Sequence, residues 1–509
     1  MALASAVSTL VRWCTENDIW IDPRLEIRSN EENCIAVYAK DKHIPAHTCL
    51  VLIHRDSVIS VRSCSLSKEI EPVLSGPPAL LSLTLALYVE ILNGETSRWF
   101  GYIQSLPRKP IPIALFWAQD FLNVNHTNDG KKGLQWLEDT EIGRRLTSDS
   151  SVKLEDIDGY FNTVAEPLLL RYFNNRTYVP ATTISLEGFY HAYSLVSSRA
   201  FLVDGYHGLS MVPIADSFNH SHDNHVHLET EFDVCSQCGS LHECPHDAYE
   251  VINQSMLYAG KIDPTQSNAL VDYDSYYEMV SNAEIMPGEE VFNTYGEGLS
   301  NAQLLARYGF TLDVNDNDHI YWDLSEVLMF CTDRSGALYP NLSQMEAHWM
   351  AVVHSVGNEN SLFCLDSDGK VSHQLWALLA LPLCLRGDRG SVEEQIGPAT
   401  AELRVLLEYQ LALEGVNVEN IEQLPKNSEM DVILAVARSI VSLCSARKSQ
   451  LEKKLLLGSG DLNEVLDVST LLLCKFFTHA MCLSKEYADK HATDERSANI
   501  RDRRIIHPG

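Results

Sequence analysis

Strand-like and helix-like textures succeed one another in blocks along this chain, and that order limits the folds open to it. Short β-like runs, Ile35 to Tyr38 and Cys49 to Ile53, stand between polar turn residues in the first 62 residues. Residues 63–200 then read as helix. Ala79 to Leu92 is a buried-helix candidate, opened by Pro77-Pro78 and closed at Asn93-Gly94, and Leu154 to Tyr172 and Leu186 to Phe201 follow it. Strands and loops return over 203–311. The pattern beyond 325 is helical again. Ile433, Val436, Ile440, Leu443 and Leu451 keep three-four spacing, broken by Arg447, up to Gly458; Ala401 to Leu413 and Glu464 to Cys482 behave likewise. Blocks of this kind predict an α+β chain of several domains.

Charge narrows the partners. Sixty-nine acidic against 39 basic residues give a net charge of −30. Nucleic-acid phosphates repel such a surface, so direct nucleic-acid binding is not expected, and a basic protein is its electrostatic complement. No clean apolar run reaches the roughly 18 residues a membrane span needs, so no membrane span is expected. The N-terminus lacks the pattern of a secretory signal. Thirteen scattered cysteines, an odd number, point to a reducing compartment, cytoplasmic or nuclear.

Two segments carry most of the chemistry. The apolar run Met211 to Ala215 reads as a strand, and it delivers Asp216-Ser217-Phe218-Asn219-His220-Ser221 to its end, where ligand sites tend to lie. Further on, Met286-Pro287-Gly288-Glu289-Glu290 has Pro and Gly at favoured turn positions. Val291-Phe292-Asn293-Thr294-Tyr295-Gly296 then predicts a short strand, and Ser300 or Asn301 caps a helix over Ala302 to Tyr308 that ends at Gly309. Taken singly, Asn219 suits a turn and either tyrosine suits a core.

Together these blocks, continued through Ala306-Arg307-Tyr308-Gly309-Phe310, resemble SET-domain protein lysine methyltransferases. More narrowly they are similar to the Rubisco large-subunit methyltransferase class, which includes fungal ribosomal-protein lysine methyltransferases. Glu90 to Gly94 with Ser97, Trp99, Tyr102 and Leu106-Pro107 is similar to the insert that splits the SET domain in this class. Phe189-Tyr190-His191-Ala192 with Ser198-Arg199-Ala200-Phe201 resembles the helix before the Asn-His segment. The resemblance implies a split SET domain of short β-sheets. Its pieces are 1–62 and 201–324, with a helical insert over 63–200 and an all-α C-terminal substrate-binding domain over 325–509.

The resemblance also implies roles. Asn219 and His220 match the pair that binds S-adenosylmethionine, and Arg199 and Asp216 match further cofactor contacts. Tyr295 matches the catalytic tyrosine beside the cofactor, and Tyr308 and Phe310 match aromatics that wall the lysine channel and cofactor. The implied activity is protein-lysine N-methylation of a non-histone, ribosomal or other Lys-rich protein by a monomeric enzyme. Where the class has a Gly-x-Gly turn, Glu31 to Lys40 holds no glycine. Two alternatives therefore stay open: a catalytically silent SET-fold binding module, and a methyltransferase for another nitrogen such as histidine.

One loop lies outside the class pattern. Cys235, Cys238, Cys244 and His246 are spaced C-x2-C-x5-C-x-H, three soft thiolates and an imidazole, which suits a structural zinc ion. The letters His242-Glu243-Cys244-Pro245-His246 also spell a metalloprotease motif. That motif needs a continuous helix, and Pro245 would break one, so the protease reading is set aside.

Overall fold

The computed structural model describes residues 3–29, 35–119, 137–147, 151–175, 182–230, 233–246, 275–335, 349, 363–384, 392–413 and 427–458. The expected helix Glu464 to Cys482 lies outside them. The chain divides into two compact units. One comprises Met1–Lys131, Arg145–Leu299 and Gln303–Phe310; the other comprises Lys132–Arg144, Ser300–Ala302 and Thr311–Gly509.

Among the described residues the first unit contains eight strands: β1 (Trp20–Ile21), β2 (Leu25–Ser29), β3 (Ile35–Ala39), β4 (Cys49–His54), β5 (Ala200–Leu202), β6 (Leu209–Met211), β7 (Val226–Glu229) and β8 (Tyr276–Ser281). A four-stranded sheet runs in the order β1-β4-β8-β7, with β2–β3 and β5–β6 as separate two-stranded ribbons. The pairings between these strands are antiparallel. The central pair β4–β8 joins residues on opposite sides of the helical stretch, with Leu52 opposite Glu278 and Ile53 opposite Tyr277. The two strand-rich blocks of sequence therefore build one sheet.

Helix Gly76–Asn93 lies in the core of this unit. Its apolar residues run all round rather than in a stripe, and 13 of its 18 residues are buried. Length and apolarity alone would also suit a membrane span, but its side chains pack into the large cluster that includes Leu50, Ile53, Val58, Phe189 and Phe218. Its one buried acid, Glu90, accepts from the Ser65 N–H at 2.8 Å and the Ser97 hydroxyl at 2.6 Å. The stretch Leu154 to Asn174 is helical throughout, with a π-helical segment at Phe161–Ala165.

Two expected strands differ from the structure. Among the described residues Val291 to Gly296 forms isolated bridges rather than a strand, Asn293 with His220 and with Val226, because the segments beside it run alongside for one or two residues. The Met211 to Ala215 run ends as strand at Met211 and turns into the short 3-10 helix Ala215–Ser217.

The second unit has its own core, built from helices Leu324–Ser335, His373–Cys384, Val392–Leu413 and Asn427–Gly458. The all-α domain expected over 325–509 is corrected here, because β10 (Phe363–Asp366) lies within it and pairs antiparallel with β9 (His319–Trp322). The Ile433, Val436, Ile440 and Leu443 stripe is buried. Arg447, the polar interruption of that stripe, is buried too and donates to Glu141 at 2.8 Å.

Candidate functional site

The site lies where the β6 end meets the 288–310 segment. Ile214 opens it with φ 69 and ψ −44, a strained conformation for a β-branched residue. The bend turns the chain from β6 into Ala215–Ser217, and the Ser217 N–H closes it on the Ile214 carbonyl at 2.9 Å. Asp216 is thereby driven into the interior. Its Oδ2 accepts from the Tyr102 hydroxyl at 2.8 Å and stands 3.6 Å from Arg199, while Arg199 donates to the Asp216 backbone carbonyl at 2.7 Å. Burial raises the Asp216 pKa, against the opposing pull of Arg199 and Tyr102. Burial likewise lifts the Tyr102 hydroxyl well above its ordinary range, so it stays a donor.

Arg199, Asp216 and Ser217 line one part of a cavity of about 460 Å³, with Ile35, Leu106 and Ile111 among the apolar residues around it. That volume is within the range of small-molecule sites. The Arg199 Nε is buried without a hydrogen-bond partner among the described residues. The cavity is thus of mixed character: Ile35, Leu106 and Ile111 give it apolar wall, Arg108 and Lys109 also border it, and Arg199 and Asp216 stand together at one place.

Asn219 and His220 follow at once. The Asn293 N–H donates to the Asn219 carbonyl at 2.8 Å, and the Ser221 N–H returns a bond to the Asn293 carbonyl at 3.0 Å. The Asn219 side-chain amide donates to Glu290 at 2.6 Å, and the Tyr38 hydroxyl donates to the other Glu290 oxygen at 3.1 Å. Glu290 therefore fixes which way Asn219 faces. The Tyr295 N–H donates to His220 Nδ1 at 3.1 Å. A backbone N–H can only donate, so Nδ1 is the acceptor and the neutral ring carries its proton on Nε2. That Nε2 is buried with no partner among the described residues. Burial, helped by His222, lowers the His220 pKa to about 4, so the ring is neutral at physiological pH.

Four aromatic rings gather here. His220 stacks on Tyr295 with centroids 5.2 Å apart, Tyr295 lies 4.8 Å from Tyr308, and Phe310 stands 6.2 Å from both His220 and Tyr295. The Tyr308 hydroxyl donates to the Tyr295 carbonyl at 3.1 Å. Helix Asn301–Tyr308 presents Tyr308 from its last turn, and Gly309, at φ 78, ends it. A Cβ at Gly309 would come within 3.0 Å of Ile111 and 3.1 Å of the Pro112 backbone, so glycine is needed for space as well as for φ. Turn Met286–Glu289 closes with the Glu289 N–H on the Met286 carbonyl at 3.2 Å and Gly288 at φ 84, as Pro-Gly at those positions favours.

The structure therefore brings Arg199 with Asp216, His220 with Tyr295, Tyr308 and Phe310, and Asn219 beside both groups. Sequence reasoning missed Tyr102 and Glu290 as site residues. Glu290 adjoins a recognised turn, but nothing in its spacing shows its hold on Asn219. Tyr102 lies 114 residues before Asp216, and no local pattern carries such a contact. Residues Glu31 to Cys34, where the glycine turn of the class is absent, lie outside the described residues.

Solved structures settle the architecture. The SET domain of LSMT bound to lysine and AdoHcy matches with a TM-score of 0.60 at 16% identity, over 99% of this chain and 96% of that one. This chain has the SET-domain fold. Rubisco LSMT bound to sinefungin and monomethyllysine matches the SET-fold chain with a TM-score of 0.58, over 98% of this chain and 96% of that one. In sequence, ribosomal lysine N-methyltransferase 3 of Saccharomyces cerevisiae is 25% identical over 353 residues, 60% of this chain and 62% of its own length. The chloroplastic Rubisco large-subunit N-methyltransferase of Pisum sativum is 25% identical over 322 residues, 63% of this chain and 54% of its own. The chain thus spans between half and two thirds of the length of these curated relatives. No family model matches it.

The Cys/His loop of the first unit brings its candidate ligands together. The ligand atoms of Cys235, Cys238, Cys244 and His246 all lie within 4.8 Å of one another. N–H groups of Gln237 and Cys238 point at the Cys235 sulfur and hold its thiol down to about 6.

Proposed function

We propose that this chain is an S-adenosylmethionine-dependent protein-lysine N-methyltransferase acting on a Lys-rich, non-histone protein, with a ribosomal protein as the first candidate. The observation that carries the reading is the His220–Tyr295–Tyr308–Phe310 cluster beside a cavity walled by Arg199 and Asp216. The residues present fit the cofactor. Two buried donors, Arg199 Nε and His220 Nε2, lack partners among the described residues, as expected where an acceptor-rich ligand belongs.

When bound, S-adenosylmethionine supplies an activated methyl group on a cationic sulfur. Arg199, Asp216, Asn219 and His220 bind and orient it. Asn219 is pre-set by Glu290, and His220 offers a fixed N–H because its other nitrogen is engaged by Tyr295. The acceptor lysine must arrive neutral, although its ordinary pKa is about 10.4. Tyr295, Tyr308 and Phe310 exclude water around it, which disfavours the charged form, and their faces still tolerate a cation in passing. Tyr295 is the group placed to orient the amine, and positioning of this kind supplies much of the acceleration in a transfer without a nucleophilic side chain. The second, mainly helical unit is proposed to hold the substrate protein. The net charge of −30 favours a basic one. The chain's proposed compartment is the cytoplasm or nucleus, on the thirteen scattered cysteines of the sequence.

The test is loss of a methyl mark. Methyl-peptides compared between cells with and without the gene should show a lysine whose methylation disappears. The purified chain with S-adenosylmethionine should restore it. Saturable cofactor binding with no transfer to any lysine would favour a silent module, and a mark lost from histidine would reassign the acceptor. Addition of salt should slow transfer to a basic substrate; a rate insensitive to ionic strength would reduce the charge to a matter of solubility.

A further inference from the structure

The connection between β7 and β8 covers residues 230–275, an unusual length for neighbouring antiparallel strands. Within it residues 233–246 form two turns, and none of these fourteen residues is buried. A segment with no apolar interior has nothing of its own to offset the entropy of ordering. Yet its ligand atoms converge. His246 Nδ1 lies 3.7 Å from the Cys235 sulfur and 3.5 Å from the Cys244 sulfur. Zinc bonds of about 2.3 Å to sulfur and about 2.0 Å to nitrogen at tetrahedral angles place such atoms about 3.6 Å apart. The first turn also has the shape of a metal knuckle. The Gly239 N–H donates to the Cys235 carbonyl at 2.7 Å, the Cys235 N–H donates to the Ser240 carbonyl at 2.9 Å, and Gly239 takes φ +74.

The knuckle rests on a defined seat. Arg62 donates to the Ser236 carbonyl at 2.9 Å and to the Tyr206 carbonyl at 2.8 Å, with its guanidinium 4.4 Å above the Tyr206 ring. Gly239 lies so close to that ring that a Cβ would be 2.8 Å from it. Tyr206 belongs to the β5–β6 turn. Its N–H donates to the buried Asp204, which also accepts from Tyr277 of β8.

We propose that Cys235, Cys238, Cys244 and His246 bind one structural zinc ion, and that the metal-bound knuckle clamps the β7–β8 connection onto Tyr206 and Arg62. Four protein ligands leave no open coordination position, so the ion holds the fold and takes no part in methyl transfer. Binding displaces the thiol protons to solvent and leaves three thiolates and a neutral imidazole around the dication. His242, two residues from Cys244, is outside the ligand set.

Elemental analysis of the full chain, purified without chelator or metal-affinity tag, tests the site. About one zinc per chain is expected, with almost none in the Cys238→Ser/Cys244→Ser variant. Cobalt exchange should give an intense tetrahedral visible band with thiolate-to-cobalt charge transfer. Less than about a tenth of an equivalent of any metal together with no cobalt spectrum would overturn the site, as would zinc fully retained by the double variant. Chelation should lower the melting temperature by on the order of 5 °C. Arg62→Ala should keep the zinc and the cobalt spectrum but shrink that shift. An undiminished shift would overturn the clamp while leaving the metal site standing, and neither outcome depends on methyltransferase activity.

Discussion

Two buried aspartates of the first unit, twelve residues apart, have opposite environments. Asp204 is surrounded by donors: the N–H groups of Tyr206 and His207, the His207 ring at 3.0 Å, the Tyr277 hydroxyl, and Arg55 at 3.4 Å. Burial alone would raise its pKa, but the His207 and Tyr277 hydrogen bonds hold it down to about 2. Asp216 is also buried, yet among the described residues the side chains that donate to or pair with its carboxylate are Tyr102 and Arg199, and burial outweighs them so that its pKa is raised. A carboxylate saturated with donors is a structural joint. A carboxylate left under-supplied beside a cavity stores a capacity to bind, and that capacity is realised only by a ligand.

The largest effect should come from the joint. Asp204→Asn leaves Arg55 buried without its counter-charge, and breaking a buried pair in this way costs about 3–5 kcal/mol. Urea denaturation reads it. Because the folded pKa of Asp204 is depressed, its stabilisation is present above the ordinary aspartate value near 3.8 and is lost as pH falls toward 2. The variant should therefore show a smaller loss of stability than the natural chain across that acid range. Cofactor affinity, measured where the variant is still folded, should be nearly unchanged.

Asp216→Asn should invert this result. At pH 7 the raised carboxylate pKa means that ionised Asp216 costs stability, so the amide is expected to be neutral or slightly stabilising. Arg199 keeps its bond to the backbone carbonyl. Calorimetry with S-adenosylhomocysteine or sinefungin should instead show an affinity loss of about tenfold, about 1.4 kcal/mol. A large fall in stability with unaltered affinity would make Asp216 a second joint and dissolve the contrast.

The contrast also marks what could be read from sequence. Turn residues and caps marked the segments that hold Asp216, Asn219, His220, Tyr295, Tyr308 and Phe310, whereas the roles expected of these residues came from the resemblance to the SET class. The helices Gly76–Asn93, Leu186–Arg199 and Asn427–Gly458 were legible because apolar spacing and Gly or Pro punctuation mark them. Arg447 showed itself as a break in a stripe, and its meaning waited on Glu141, 306 residues away. Tyr102, Glu290 and the Asp204 hub were not legible, since each is defined by partners remote in the chain. The short strand expected at Val291 failed for a related reason. Apolar residues predict that a segment is buried, but ladder length depends on how far its neighbours run alongside it.

At Tyr295 the effect is expected on rate rather than on affinity. Tyr295→Phe keeps the ring contacts to His220, Tyr308 and Phe310, and it keeps the backbone N–H that holds His220. Only the hydroxyl is lost. The rate constant for methyl transfer should fall by about 10- to 100-fold, with cofactor affinity changed by less than about threefold. Equal losses in rate and in cofactor affinity would move Tyr295 from orienting the amine to binding the cofactor.

The smallest effect should be with pH. His220 would titrate near 6.5 if solvated, and burial brings it to about 4. Its Nδ1 faces the Tyr295 N–H, so a second ring proton would set donor against donor. With a depressed folded pKa, the stability tied to the neutral ring is complete above about 6.5 and is lost as pH falls through 4. Cofactor affinity should therefore stay level from pH 8 to about pH 5.5 and weaken only below that, as the ring charges and releases Tyr295. His220→Asn should abolish the acid limb as well as lower the affinity. A midpoint near 6.5 in the natural chain would mean that water reaches the ring. The buried Nε2 of His220 would then be solvated, and its lack of a partner would no longer mark a place for a ligand.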